Sequence, residues 1–295
     1  MTSPTRTLQD ILLSATRTLS DAGLDSPRLD AEVLLRHLLG VDRTGLFLWL
    51  PDAAPEHILA PFAALIARRR AGESVAYIVG EREFMSLPFI VDSGVLVPRP
   101  ETELLVEWAL EWLGNHPDSA VIDVGTGSGA IALSIAAMLP ASSRGMVIAS
   151  DPSIDALRIA IRNRQALSDR GIVEKVVFVQ QSLLTETTGE VDLVLANLPY
   201  LTPVQIAENP DLAVEPRLAL DGGDDGLDLV RDLIADLPRI LASGGAAGFE
   251  LDPSQTKTVS RLLSAQFPNA TVRTIADLAG HPRHVVLWHA GSAHQ

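Results

Sequence analysis

The 295-residue chain has no cysteine, so it forms no disulfide, thiolate zinc site or iron–sulfur cluster and carries no cysteine nucleophile. It also lacks any run of ~18 uncharged apolar residues, the length that a membrane-spanning helix requires. Positive charge is scarce: 23 Lys and Arg stand against 37 Asp and Glu, a formal charge of −14. A non-specific nucleic-acid binder needs a cationic face to neutralise phosphates, and this balance argues against one. The opening stretch MTSPTRTLQDILLSATRTL breaks its apolar residues with Asp10 and Arg17, which suits an amphipathic helix and not a secretory signal. With 47% hydrophobic residues, a soluble cytoplasmic protein of one large or two smaller domains is expected.

Two periodicities divide the chain. From Leu8 to Arg70 apolar residues recur at three- and four-residue spacing (Leu8, Ile11, Leu12, Ala15, Leu19; Leu29, Val33, Leu34, Leu38), the pattern of a small helical bundle. Gly23, Asp25-Ser26-Pro27, Gly40 and the Pro51–Pro55 stretch mark its breaks, and Arg68-Arg69-Arg70 reads as the solvated end of a third helix. Residues 76–97 turn to alternating β-rich patterning around Gly80 and Asp92-Ser93-Gly94, as in a linking hairpin. This predicts a helical N-terminal domain over 1–75, a β-hairpin linker over 76–97 and a second domain over 98–295.

Pro98-Arg99-Pro100-Glu101 opens a helix to about residue 113. From Ala120 onward short apolar strands (120–124, 146–150, 176–180, 191–196) alternate with amphipathic helices, and GLDLVRDLIADLPRIL, GGAAGFEL, TVRTIAD and HVVLWHA continue the series. Such alternation specifies an α/β fold, a Rossmann-like, mainly parallel sheet covered by helices on both faces. Ligands of these sheets bind beyond the carboxyl ends of the strands.

The strand ends carry the chemistry. The first runs into Gly125-Thr126-Gly127-Ser128-Gly129, where glycines allow a tight turn and close ligand approach and the N–H groups of the helix start can hold polar ligand atoms. A nucleotide or nucleoside cofactor follows, with NAD and S-adenosylmethionine both compatible. Asp151, after the second strand, can accept hydrogen bonds from a ribose diol or cap the next helix. The fourth strand ends in Asn197-Leu198-Pro199-Tyr200. An Asn carboxamide and the Leu198 carbonyl can together grip a planar –NH2 group, on which Tyr200 can stack; this suits methylation of an amide or amino nitrogen. His281 and His284 read as loop residues and not metal ligands, and Asp221–Gly226 as a turn before a helix.

VLVPRPETELLVEWAL, VIDVGTGSGAIALSIA, DLVLANLPYL, EPRLALDGGDDGLDLVRDLI and GFELDPSQ together resemble the release factor glutamine methyltransferases, the PrmC or HemK family of class I S-adenosylmethionine-dependent enzymes. The resemblance covers essentially the whole chain, and PRPETE is its most specific marker. It implies transfer of a methyl group from S-adenosylmethionine to the side-chain amide nitrogen (N5) of the Gln in the Gly-Gly-Gln loop of peptide chain release factors, the expected protein partners. Carried over, Gly125, Thr126, Gly127, Ser128 and Gly129 would hold the methionine part of the cofactor and Asp151 its ribose. Ser182-Leu183 would border the adenine, and Asn197, Leu198, Pro199 and Tyr200 would receive the Gln. Two departures stand out: Leu198 replaces the family's usual proline, and Ser182 and Leu183 replace an acid and an aromatic. A proline at 198 should be tolerated, because the site uses only a backbone carbonyl there. Asn-Leu-Pro-Tyr is also similar to the motif of rRNA adenine dimethyltransferases, so N6-adenine methylation of RNA or DNA is the alternative.

Overall fold

The computed structural model describes residues 6–289 and divides into two units that meet between Glu81 and Arg82. The parts of the expected opening helix and last strand that fall within 1–5 and 290–295 lie outside the described residues. The first unit is helical: α1 (Leu8–Asp21), α2 (Pro27–Leu39), α3 (Arg43–Trp49), α4 (Glu56–Arg70) and α5 (Val75–Val79). Thr7 and Asp10 form a reciprocal cap that starts α1, and Gly40 ends α2 in a left-handed conformation. The apolar faces of α1, α2 and α4 close one core around Leu12, Leu19, Leu34, Leu35 and Phe62. Helices α3 and α5 are too short to show a periodicity of their own, so Arg68–Arg70 ends a fourth helix and not a third. Nor is that triplet simply solvated: Arg69 Nε donates to Asp30 Oδ2 at 2.7 Å, tying α4 to α2, and Arg68 pairs with Glu73.

The hairpin is narrower than its patterning suggests, with β1 (Glu81–Phe84) and β2 (Leu87–Ile90) following a helical turn at α5. A 3-10 turn, Pro100–Thr102, then leads into α6 (Glu103–Asn115). Next come β3 (Val121–Val124), α7 (Ala130–Met138), β4 (Val147–Asp151), α8 (Ile154–Ala166), β5 (Val176–Gln180) and β6 (Val191–Ala196). After them follow α9 (Pro203–Glu208), α10 (Asp228–Ile240), β7 (Leu241–Glu250), α11 (Thr256–Gln266), β8 (Thr271–Ala276) and β9 (Pro282–Trp288). The seven strands run in the order β5-β4-β3-β6-β7-β9-β8, parallel from β5 to β7, with β9 antiparallel to both neighbours. The architecture is Rossmann-like, and the order reverses direction between β3 and β6. That switch point opens a crevice at the carboxyl ends of these two strands.

Both faces of the central strands are covered, which is why they read as near-continuous apolar runs interrupted by single acids at Asp123 and Asp192. Along β6, past an irregularity at Val191, Leu193 and Leu195 face the core beneath α6 and α7, while Val194 and Ala196 face the core beneath α10 and α11. Continuing this period of two assigns position 197 to the first face and 198 to the second. Among the described residues no helix is long and apolar enough to cross a membrane.

Asn163 of α8 fastens the hairpin and the glycine loop. Fully buried, it accepts from Ile90 N at 2.7 Å and donates to the carbonyls of Ile90 and Ser128 at 3.0 and 2.8 Å. Asn163→Leu keeps the volume and leaves these backbone groups unsatisfied. A loss of about 2–5 kcal/mol in urea unfolding is expected; a loss below about 1 kcal/mol would contradict this role.

Candidate active site

The crevice holds a cleft of about 280 Å³ lined by Thr102, Thr126, Ile131, Asp151, Ala156, Leu183, Asn197 and Leu198, among others. Gly125, Gly127 and Gly129 all have positive φ, at +76°, +55° and +83°, which a side chain would oppose. Four of the loop amides serve the fold: Gly125 and Thr126 donate to the Ser150 carbonyl, Gly129 to Thr126 and Gly127 to Asp151 Oδ2. Those of Ser128, Ala130 and Ile131, at the start of α7, have no hydrogen-bond acceptor among the described residues. The amides left free to meet a ligand are therefore the last of the loop and the first of the helix.

Asp151 does not cap α8; Ser153 does, accepting from Ala156 N at 3.2 Å. Instead Asp151 clamps the site, its two oxygens accepting from Gly127 N at 2.9 Å and Ser153 N at 2.8 Å. Each oxygen keeps a lone pair for a further donor such as a ribose hydroxyl. Burial raises its pKa, partly offset by these two amide bonds. Leu183, in a left-handed conformation (φ 50°), lines the same cleft and offers an apolar wall. A carboxylate, free helix-start N–H groups and apolar walls fit a cofactor with one polar end and a nucleoside.

Beneath the loop, Asp123 is fully buried, with Oδ2 accepting from Thr126 Oγ1 at 2.6 Å and Ala132 N at 3.2 Å and Oδ1 without a partner among the described residues. Burial pushes its pKa up to about 7, against these two hydrogen bonds and with some help from the Asp151 charge.

Asn197 and Leu198 follow the alternation of β6. Asn197 Nδ2 donates to Thr102 Oγ1 at 3.0 Å, on the α6 side. Leu198 is 5% exposed and packs into the α10–α11 core. Its side chain is thus part of the core, and a proline there would lose that packing; the expected tolerance of Leu198→Pro does not fit this environment. Tyr200 lines a small adjoining pocket with Asn197, Leu198 and Arg99. Burial first, and then the Glu250 carboxylate, hold its phenol above the usual range, so it is neutral. Pro199 lines the main cleft.

Residues of the quoted segments to which the sequence assigned no contact with this loop support the site. Gln255 Nε2 donates to the carbonyls of Tyr200 (2.8 Å) and Asp225 (3.1 Å), joining the 197–200 loop to the acidic turn. Gly222 N donates to the Leu201 carbonyl, and Leu201 N to that of Leu220. Arg99 pairs with the buried carboxylate of Glu215, tying the Pro-Arg-Pro-Glu segment to the stretch whose Pro216, Leu218 and Ala219 line the cleft. Only spatial proximity reveals these links, since the partners lie 19 to 116 residues apart. His284 is likewise no loop residue: it lies in β9, fully buried, with Nε2 3.7 Å from Glu250 Oε2. Among the described residues no three His, Asp or Glu side chains form a cluster that could hold a metal.

Two outcomes are expected. Asp123 is protonated in the folded protein up to about pH 7 but ionises near the ordinary carboxylate value of 3.8 once unfolded. Its contribution therefore falls as pH rises through that window. Asp123→Asn, which mimics the neutral form, should gain thermal stability relative to wild type at pH 8 and show no such gain at pH 4; an equal effect at both would contradict the burial argument. Gly226 has φ +72°, and a Cβ there would overlap the Tyr200 carbonyl. Gly226→Ala should cost about 1–3 kcal/mol in denaturant unfolding and lower turnover with it.

The comparisons bear on both units. A family model described as PrmC N-terminal domain matches residues 10–80, and one described as Methyltransferase small domain matches 101–213. The release factor glutamine methyltransferase of Deinococcus radiodurans is 39% identical over 285 residues, 96% of this chain and 99% of its own. That of Moorella thermoacetica is 38% identical over 279 residues, covering 94% and 96%. The crystal structure of the hMettl16 catalytic domain in complex with MAT2A 3'UTR hairpin 6 superposes with a TM-score of 0.55 over 78% of this chain and 83% of its own; at 17% identity it shows the fold alone. Across nearly its whole length, then, this chain belongs to the release factor glutamine methyltransferase family.

Proposed function

We propose that the chain methylates N5 of the glutamine in the Gly-Gly-Gln motif of peptide chain release factors, in the cytoplasm, with S-adenosylmethionine as donor. One observation carries this reading: neither Asn197 Oδ1 nor the Leu198 carbonyl accepts a hydrogen bond from any described residue, although both residues line the cleft. A primary amide has two N–H groups to donate, and two adjacent acceptors hold it flat in one orientation.

The amide nitrogen is a weak nucleophile because its lone pair is delocalised into the carbonyl, so placement is the enzyme's main contribution. Asn197 and Leu198 orient the –NH2, and the neutral Tyr200 ring offers it a flat apolar face. S-adenosylmethionine, when bound, supplies an electrophilic methyl group; Gly125–Gly129, Asp151 and Leu183 would hold it. No dedicated base is needed, since an alkylated amide nitrogen is acidic enough to lose its proton to water or to a nearby carbonyl. Residues 1–75 would grip the body of the release factor, 76–97 link the domains and 98–295 perform the transfer. One small acceptor side chain buries little area, and affinity has to come from the protein around it.

Labelled S-adenosylmethionine incubated in parallel with release factor and with RNA tests the reading. Methyl transfer to the glutamine is expected; transfer to adenine alone would replace it with the nucleic-acid alternative, in which the same acceptors would hold the N6 amino group. Asn197→Ala should lower turnover by ~100-fold or more with cofactor affinity nearly intact. Calorimetry should detect S-adenosylmethionine and not NAD, and binding of NAD alone would refute the cofactor assignment.

A further inference from the structure

Thr102 ends the 3-10 turn that precedes α6, is 4% exposed and belongs to the cleft wall. Its hydroxyl accepts the hydrogen bond from Asn197 Nδ2 across 95 positions of sequence. An Asn carboxamide has one accepting and one doubly donating end, and its terminal torsion is broad and roughly two-fold. Which end meets a substrate –NH2 therefore depends on what holds the other. With Nδ2 engaged by Thr102, Oδ1 is left to accept. The reverse orientation would set two donors against the donors of the substrate.

Building on the proposed glutamine methylation, we propose that Thr102 is a positioning residue, whose hydroxyl holds the Asn197 carboxamide so that Oδ1 accepts from the substrate amide and keeps its nitrogen in line for transfer.

Thr102 is suited to this because its β-branched side chain is stiff and buried, and its backbone N–H is fixed to the Arg99 carbonyl at the head of α6. The resulting chain of bonds runs one way, from substrate N–H to Asn197 Oδ1 and from Asn197 Nδ2 to Thr102 Oγ1. Bonds linked in this manner polarise one another, which favours electron density on the substrate nitrogen. The partner of Asn197 is supplied by the Pro-Arg-Pro-Glu-Thr segment, which gives that segment a task in orienting the acceptor amide.

The test compares full-length wild type, Thr102→Val, Thr102→Ala and Thr102→Ser with labelled S-adenosylmethionine and a purified release factor. The Val and Ala variants should lose kcat by roughly 10- to 100-fold, with KM for the release factor and Kd for S-adenosylmethionine within about threefold of wild type. Thr102→Ser, which restores the hydroxyl, should recover most of the loss. Should the valine variant unfold, the smaller alanine carries the comparison. In an Asn197→Ala background Thr102→Val should cost nothing further, because its effect passes through Asn197. A purely structural role would give the same loss in both backgrounds, and that result overturns the proposal. So does kcat in the folded Val or Ala variant within about twofold of wild type. Wild type that methylates no release factor overturns the functional reading itself, whereas active wild type with indifferent Thr102 overturns only this inference.

Discussion

Strands β3 and β6 lie side by side and parallel, each covered by helices on both faces, and this burial leaves polar chemistry only at their ends. Within the strands a side chain meets one apolar core or the other except at Asp123, whose carboxylate is bonded to Thr126 and Ala132, and at Asp192, whose carboxylate accepts from Ala120 N. Past the last ladder residue the alternation persists without a partner strand to enforce it. Asn197 therefore falls on the α6 side and Leu198 on the α10 side. The acceptor pair at the cleft is thus a direct extension of β6 geometry.

Fixing that extension falls to the turn at 221–226. Gly222 and Gly226 are there because the chain passes too close to the 199–200 backbone for a side chain: a Cβ on Gly222 would lie 2.5 Å from the Pro199 carbonyl oxygen. Gln255 bonds the same two segments, so three stretches far apart in sequence hold one loop. Pre-organisation of this kind suits a reaction whose barrier is lowered chiefly by orientation.

Two carboxylates, Asp123 and Asp151, stand at neighbouring strand ends, and burial raises the pKa of both. Their tasks differ with their surroundings. Asp151 accepts two backbone N–H groups and lines the cleft, so it is placed to meet a ligand; Asp123 lies below the loop and holds Thr126 and the first turn of α7 in place. The glycine loop is consequently fixed from beneath by one acid and from the side by the other.

Strand periodicity, the glycine-rich turn and Asn197–Tyr200 were legible in the chain because each depends on neighbours within a few residues: β5 and β6 match their apolar runs residue for residue. The same locality misled at the hairpin, where the β-rich composition of 76–79 gives way to a helical turn, and at His284, whose polar character suggested a loop although it lies in a buried strand. What only the tertiary structure decided are relations between distant segments: Thr102 with Asn197, Gln255 with Tyr200, Asn163 with Ile90, Arg99 with Glu215. No period or spacing encodes these, because a side-chain hydrogen bond needs its partner within about 3 Å in space and is indifferent to separation along the chain. The sequence by itself determined which residues could do the chemistry; the folded sheet decided which partner holds each of them, and in what orientation.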